Sequence, residues 1–147
     1  MSRFILLDTG PLGQIARRRP DPSVVLWTRQ LNAVGARLAI PDICDYELRR
    51  EFVRARLTGS LQALDSLATV FDYLPIDTAT MRLAAQLWAQ VRQQGKPTAD
   101  PKELDGDVIL AAQAQLLIDA GHDVVAATSN VGHLSRVAPA QLWNTIQ

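Results

Sequence analysis

Short apolar runs separated by longer amphipathic stretches constrain this chain more than any other feature. The first run, Phe4-Ile5-Leu6-Leu7, is apolar at every position and stops at Asp8-Thr9-Gly10-Pro11. A strand without polar alternation is covered on both faces, as in a parallel sheet whose strands end in turns. Leu38-Ala39-Ile40 before Pro41, Phe71 to Ile76 and Val124-Val125-Ala126-Ala127 read as the second, third and fourth strands. Leu142 to Ile146 reads as a short fifth.

Between the strands the apolar spacing is helical. A short first helix closes at Arg17-Arg18-Arg19-Pro20-Asp21-Pro22, and Val24 to Ala33 forms a second. Asp42 to Leu57 is helical and ends near Thr58-Gly59-Ser60, and Leu61 to Val70 follows as another helix. Asp77 can cap a helix running from Thr78 toward Gln94, with Gly95 as its stop and Pro97 beyond. Gly95 to Glu103 reads as a loop, and Asp105 opens a long Ala/Leu-rich helix that stops at Gly121. Strands spaced by helices of this length predict a parallel α/β sheet with right-handed crossovers. In such sheets the reactive surface lies beyond the carboxyl ends of the strands, near a switch in strand order.

At 147 residues the chain is expected to form one domain, 1–147. Hydrophobic residues make up 48% and charged residues 20%, which argues against global disorder. The single cysteine, Cys44, excludes a disulfide framework and a cysteine-based zinc cluster. No apolar run approaches the ~20 residues of a membrane span, and the N-terminal MSRFILLDTG does not read as a secretory signal. The expected location is the cytoplasm. Cations and anions balance at 15 each, so net charge gives no sign of broad nucleic-acid affinity. Nearly all the cations are arginine, the better fork for phosphate, although a GC-rich genome produces the same excess.

Acids stand where such a sheet would place chemistry. Asp8 directly follows the first strand, where it also suits a turn or a helix cap. In the helix from Asp42, residues Cys44, Leu48, Phe52 and Ala55 form the apolar stripe, and Glu47 lies roughly 60° from Cys44, at its border. Glu51 follows one turn later, and Arg50 and Arg54 are ordinary ion-pair partners for both. Asp105 and Asp107 flank Gly106 at the opening of the long helix; one acid explains a cap, and two exceed it. Carboxylates buried together raise one another's pKa unless a cation compensates. Oxygen-only ligands suit Mg²⁺ or Mn²⁺ rather than a structural zinc. Thr128-Ser129-Asn130-Val131-Gly132-His133 follows the fourth strand; Asn130 can offer a carbonyl oxygen and His133 can meet a phosphate or carry a proton. His122, after Gly121, suits a helix end.

The segments LLDTGPLGQIA, DICDYELRREF, LDGDVILAAQA and AATSNVGHL, in this order, resemble the PIN domain, in particular the VapC-type toxin ribonucleases. The resemblance runs from Phe4 to about Trp143. It implies a PIN-like three-layer α/β/α sandwich with a short, mainly parallel sheet of four or five strands. It also implies an Mg²⁺- or Mn²⁺-dependent endoribonuclease that hydrolyses RNA with metal-activated water. The family's first three acids fall on Asp8, Glu47 and Asp107, which would hold the ion, with Asp105 as an additional ligand. Its fourth acidic position falls on Asn130, where this chain has no acid. Thr9, Arg50 and His133 are the substrate-binding candidates. The implied partners are RNA, a small antitoxin and a second copy of the chain, with Leu61, Leu64 and Leu67 as interface candidates if exposed.

Three other readings compete. A PIN-like module that binds RNA or protein without cutting is favoured by Asn130 and opposed by the retained acids. Metal-dependent phosphatase chemistry leaves Arg49, Arg50, Arg54 and Arg56 without a role, although these also suit a solvated helix face. LLDTG also resembles the nucleophile segment of retropepsin-type aspartic proteases, an all-β fold that the helices after Gly10 contradict.

Overall fold

A computed structural model describes residues 2–95 and 101–147. Its five strands, β1 (Arg3–Leu7), β2 (Arg37–Pro41), β3 (Asp72–Leu74), β4 (Asp123–Thr128) and β5 (Ala140–Leu142), form one sheet in the order β3-β2-β1-β4-β5. Every pairing is parallel. The central strand β1 is buried from Phe4 to Leu7, which explains its unbroken apolar run. Six helices cover the sheet: α1 (Thr9–Ile15), α2 (Pro22–Ala33), α3 (Asp42–Arg54), α4 (Thr58–Val70), α5 (Thr78–Gln93) and α6 (Pro101–Asp119). The chain moves outward from β1 to β2 to β3, then returns across β1 to β4. Right-handed crossovers made in opposite directions put helices on both faces, giving the α/β sandwich. The reversal places the switch in strand order at the carboxyl ends of β1 and β4.

The core joins Ile5, Leu6 and Leu7 of β1 to Leu12, Val24, Ile40, Cys44, Leu64 and Leu110 from the surrounding helices and β2. No helix among the described residues is long and apolar enough to cross a membrane.

Several boundaries differ from the sequence reading. Helix α3 stops at Arg54, short of Leu57, because Arg56 adopts a left-handed φ of 56°. The Leu57 N–H then bonds Phe52 O at 2.9 Å and the Arg56 N–H bonds Val53 O at 3.1 Å, a Schellman closure without glycine. Thr58-Gly59-Ser60 is consequently the first turn of α4, not a terminator. With α4 in that register Leu64 is buried and Leu61 and Leu67 pack against the core, so the three leucines do not form an exposed interface. Strand β3 is only three residues; Phe71 caps α4, and Pro75 cannot extend the ladder. Strand β5 begins at Ala140, and Trp143–Thr145 is a 3₁₀ turn rather than strand.

The largest correction concerns α6. It begins at Pro101, whose fixed φ suits a first helical position, four residues before Asp105. The expected loop, Gly95 to Glu103, therefore ends earlier; residues 96–100 lie outside the described residues. Asp105 is not the cap of this helix. Elsewhere the caps agree with the reading: Asp77 accepts the Thr80 N–H at 2.8 Å and opens α5.

Candidate functional site

Asp8 follows β1 and caps α1. Its Oδ1 accepts the Thr9 N–H at 2.8 Å, and its own N–H bonds Ala127 O at 3.0 Å, carrying the β1–β4 ladder one residue past the strand. Leu7 pairs with Ala127, so the next residue, Thr128, comes opposite Asp8. The buried Thr128 hydroxyl donates to Asp8 Oδ2 at 2.8 Å and accepts the Asn130 N–H at 3.2 Å. The fully buried Cys44 thiol donates to Asp8 Oδ1 at 3.7 Å. Three donors thus fix this carboxylate at the switch point.

Glu47 and Asp107 join it. Burial pushes the Cys44 thiol well up, and the charges of Asp8, Glu47 and Asp107 reach it and add to the effect. The Glu47 carboxyl is also raised, by burial first and then by Asp8 and Asp107, with Arg50 pulling the other way. Glu47 rests against the backbone of α6 at Gly106. A Cβ on Gly106 would stand 2.9 Å from Glu47 Oε2, so only glycine leaves room for the carboxylate as placed. Gly10 permits a similar approach, since a Cβ there would collide with Ser129 Oγ.

The other candidates sit differently. Asp105 and Asp107 project about 200° apart around α6. Asp105 is exposed and lines a cleft of about 310 Å³ with Ile43, Tyr46, Glu47, Arg50, Gly106 and Ile109, beside the Asp8 cluster rather than in it. Arg50 stacks on the Tyr46 ring at 5.2 Å at the rim of this cleft. The Asn130 side chain turns into its own loop, where its Oδ1 accepts the Gly132 N–H at 3.1 Å. His133 is exposed, and Thr9 contributes its backbone N–H to Asp8. Glu51 is exposed and pairs with Arg54 at 2.8 Å.

Cys44, Thr128 and Gly106 shape the pocket most directly after the acids, and the sequence reading gave none of them that part. Cys44 could have been suspected from its place 60° from Glu47 on the apolar stripe. Thr128 could have been suspected from its place at the end of a strand paired to β1.

Among the described residues no three His, Cys, Asp or Glu side chains are grouped closely enough to hold a metal ion by themselves. The donor chemistry nevertheless fits a hydrated divalent cation. Mg²⁺ keeps several waters and needs only one or two carboxylates, and the like-charge strain on Glu47 is what a cation relieves. Asp8, Glu47 and Asp107 would hold it.

The strain has a consequence for stability. An acid whose folded pKa is raised binds its proton more tightly in the folded state, so stability falls as pH rises from its unfolded value through its folded one. Glu47→Gln removes that loss. In EDTA, the urea midpoint of the variant relative to the wild type should rise as pH rises above about 4, the range of an unperturbed glutamate. A flat difference across that range would show that Glu47 carries no strain.

The chain is therefore a parallel α/β fold with an acidic cluster at its topological switch point. No protein-family model matches it, and no curated protein does. Solved structures do. A chain of VapBC2 from Rickettsia felis, bound to a DNA fragment from its promoter, matches 95% of this chain and 98% of its own at 17% identity, with a TM-score of 0.75. VapBC-1 from nontypeable Haemophilus influenzae matches over 97% and 99% at 18% identity and a TM-score of 0.66. DNA-bound VapBC from Salmonella typhimurium matches over 97% and 99% at 21% identity and a TM-score of 0.67. The fold is the PIN-like fold of these VapBC chains.

Proposed function

We propose that the chain is a divalent-metal-dependent endoribonuclease of the VapC type, the toxin of a toxin–antitoxin pair. The observation that carries this reading is the convergence of Asp8, Glu47 and Asp107 over Cys44 at the β1–β4 switch point. An inert binding module has no reason to hold three mutually repelling carboxylates there. Mg²⁺ or Mn²⁺, when bound, would supply the charge that neutralises the phosphodiester and the acidity that activates the attacking water. The chain's own residues do the rest. Thr9, Cys44 and Thr128 orient Asp8, and Gly106 seats Glu47. Arg50, at the rim beside Glu47, is placed to meet a substrate phosphate.

The fold likeness to VapBC complexes supports an antitoxin partner for this chain as well. An apolar groove of about 480 Å³ between α5 and α6, with Met81 and Trp88 on its walls, shares Asp105 and Ile109 with the acidic cleft. A partner segment with apolar anchors and a cation fits that continuity. A second copy of the chain is the other partner this reading carries, with no surface assigned to it.

The test is cleavage of structured and single-stranded RNA in Mg²⁺, Mn²⁺ or EDTA, beside an Asp107→Asn control. Metal-dependent cleavage absent from the control is the expected result. No cleavage of any RNA together with no Mn²⁺ binding by calorimetry would transfer the chain to the non-catalytic binding modules.

A further inference from the structure

The arginines of α3 that looked available for RNA are largely engaged. Arg49 is held by Asp45 and by Asp65, each at 2.8 Å, and Arg54 by Glu51. Free positive charge gathers instead beyond the end of α1. Arg17, Arg18 and Arg19 are consecutive, all exposed, and make no ion pair among the described residues. Arg17 Nε is tied to the Gly13 carbonyl at 3.3 Å. The Arg18 stem lies over the first turn of α4, with its Cδ 3.8 Å from where a Gly59 Cβ would be. Gly59 follows Arg56 by three residues, and Arg56 is exposed and likewise outside any ion pair among the described residues. Asp21, the acid close to Arg17, is already committed to Ser23 as the cap of α2.

We propose that Arg17, Arg18, Arg19 and Arg56 form the surface on which the phosphate backbone of an RNA strand lies while another part of that strand occupies the acidic pocket. The proposal rests on the nuclease reading and adds the path of the substrate. A pocket of mutually repelling carboxylates repels a polyanion, so affinity must come from cations nearby. Helix α1 joins the two places: Asp8 caps its start, and the arginine run leaves its end. The helix is seven residues long, about 10 Å at ~1.5 Å per residue, a distance of a few nucleotides. Arginine forks match phosphate oxygens bidentately, and such contacts position a strand without reading its bases. This surface supplies affinity and direction, and base choice lies elsewhere.

The test is fluorescence anisotropy of a labelled single-stranded RNA in EDTA, where hydrolysis is silent, across a salt series. The wild type is compared with the triple variant Arg17→Gln/Arg18→Gln/Arg19→Gln, with Arg56→Gln and with the triple lysine variant. Each phosphate contact on a single strand adds about 0.7 to the log–log salt slope, so the triple glutamine variant should lose about 2 from it. Its affinity at low salt should fall at least tenfold, and the lysine variant should keep most of both. DNA of the same sequence should behave as RNA does. Wild-type affinity and slope in the glutamine variant would overturn the proposal. So would failure of the wild type to bind either strand, which would make an acidic protein the better partner. Cleavage measured in parallel separates the two ideas. Binding through the arginines without metal-dependent hydrolysis ends the nuclease reading alone; hydrolysis with unchanged KM in the glutamine variant ends this surface alone.

Discussion

Asp8→Asn is expected to fold like the wild type and to hydrolyse RNA roughly a hundredfold more slowly, or worse. The two halves of that result have separate causes. Asparagine keeps an acceptor oxygen of the same reach, so the 2.8 Å bond from the Thr9 N–H survives and α1 stays capped. The Thr128 hydroxyl, now 2.8 Å from an amide, can rotate and accept instead of donating. The charge does not survive. Cys44 and Glu47 stay raised by burial but lose the part of the shift that the Asp8 charge adds, and the site loses the acid its hydrogen bonds hold in place. Asp8→Ala tests the structural half. It strands the Thr9 N–H and removes one partner of the buried Thr128 hydroxyl, which then turns to Asn130 O at 3.1 Å; the loss should cost about 1–2 kcal/mol in a urea titration. Full activity in Asp8→Asn would remove Asp8 from the site. Equal stability of the alanine and asparagine variants would show that its hydrogen bonds hold nothing.

The parts of this site that could be read from the chain alone depend on near neighbours. Asp8 follows four apolar residues and precedes Thr-Gly-Pro, which is enough to put it at the end of a buried strand. Glu47 sits 60° from Cys44 on one helix, and helical geometry alone places it at the edge of the core. What stayed hidden depends on contacts far apart in sequence. The end of α3 turns on a left-handed arginine, Arg56, where propensity favours glycine. The start of α6 at Pro101 puts Asp105 and Asp107 on different sides of the helix, and only the charge of the second reaches Cys44, whereas a helix opening at Asp105 made them look like a pair. Asn130 occupied the right loop, but whether its amide faces the acids or its own turn is settled by the Gly132 N–H. The arginines followed the same logic. Composition showed an excess, and only ion pairing shows which of them are free.

Gly106→Ala should leave the protein as stable as before, or more so by up to ~1 kcal/mol, and yet cut the turnover number by at least tenfold. Alanine is the better residue inside a helix, and Gly106 lies well within α6. Its Cβ would come within 2.9 Å of Glu47 Oε2 and 3.2 Å of Oε1 and Cδ. The backbone need not move, because the obstacle is the free end of a flexible side chain. Glu47 swings aside, out of its burial and away from the charges of Asp8 and Asp107, so its raised pKa should drop. Stability and activity then change in opposite directions, which simple misfolding cannot produce. RNA affinity measured in EDTA should change far less than turnover, since Arg17, Arg18, Arg19 and Arg56 are untouched. Adding Glu47→Asp to the alanine variant shortens the displaced side chain by one methylene and should restore part of the lost turnover. Undiminished turnover in Gly106→Ala would mean that the position of Glu47 against α6 does not matter to the chemistry, and the pocket would then reduce to Asp8 and Asp107.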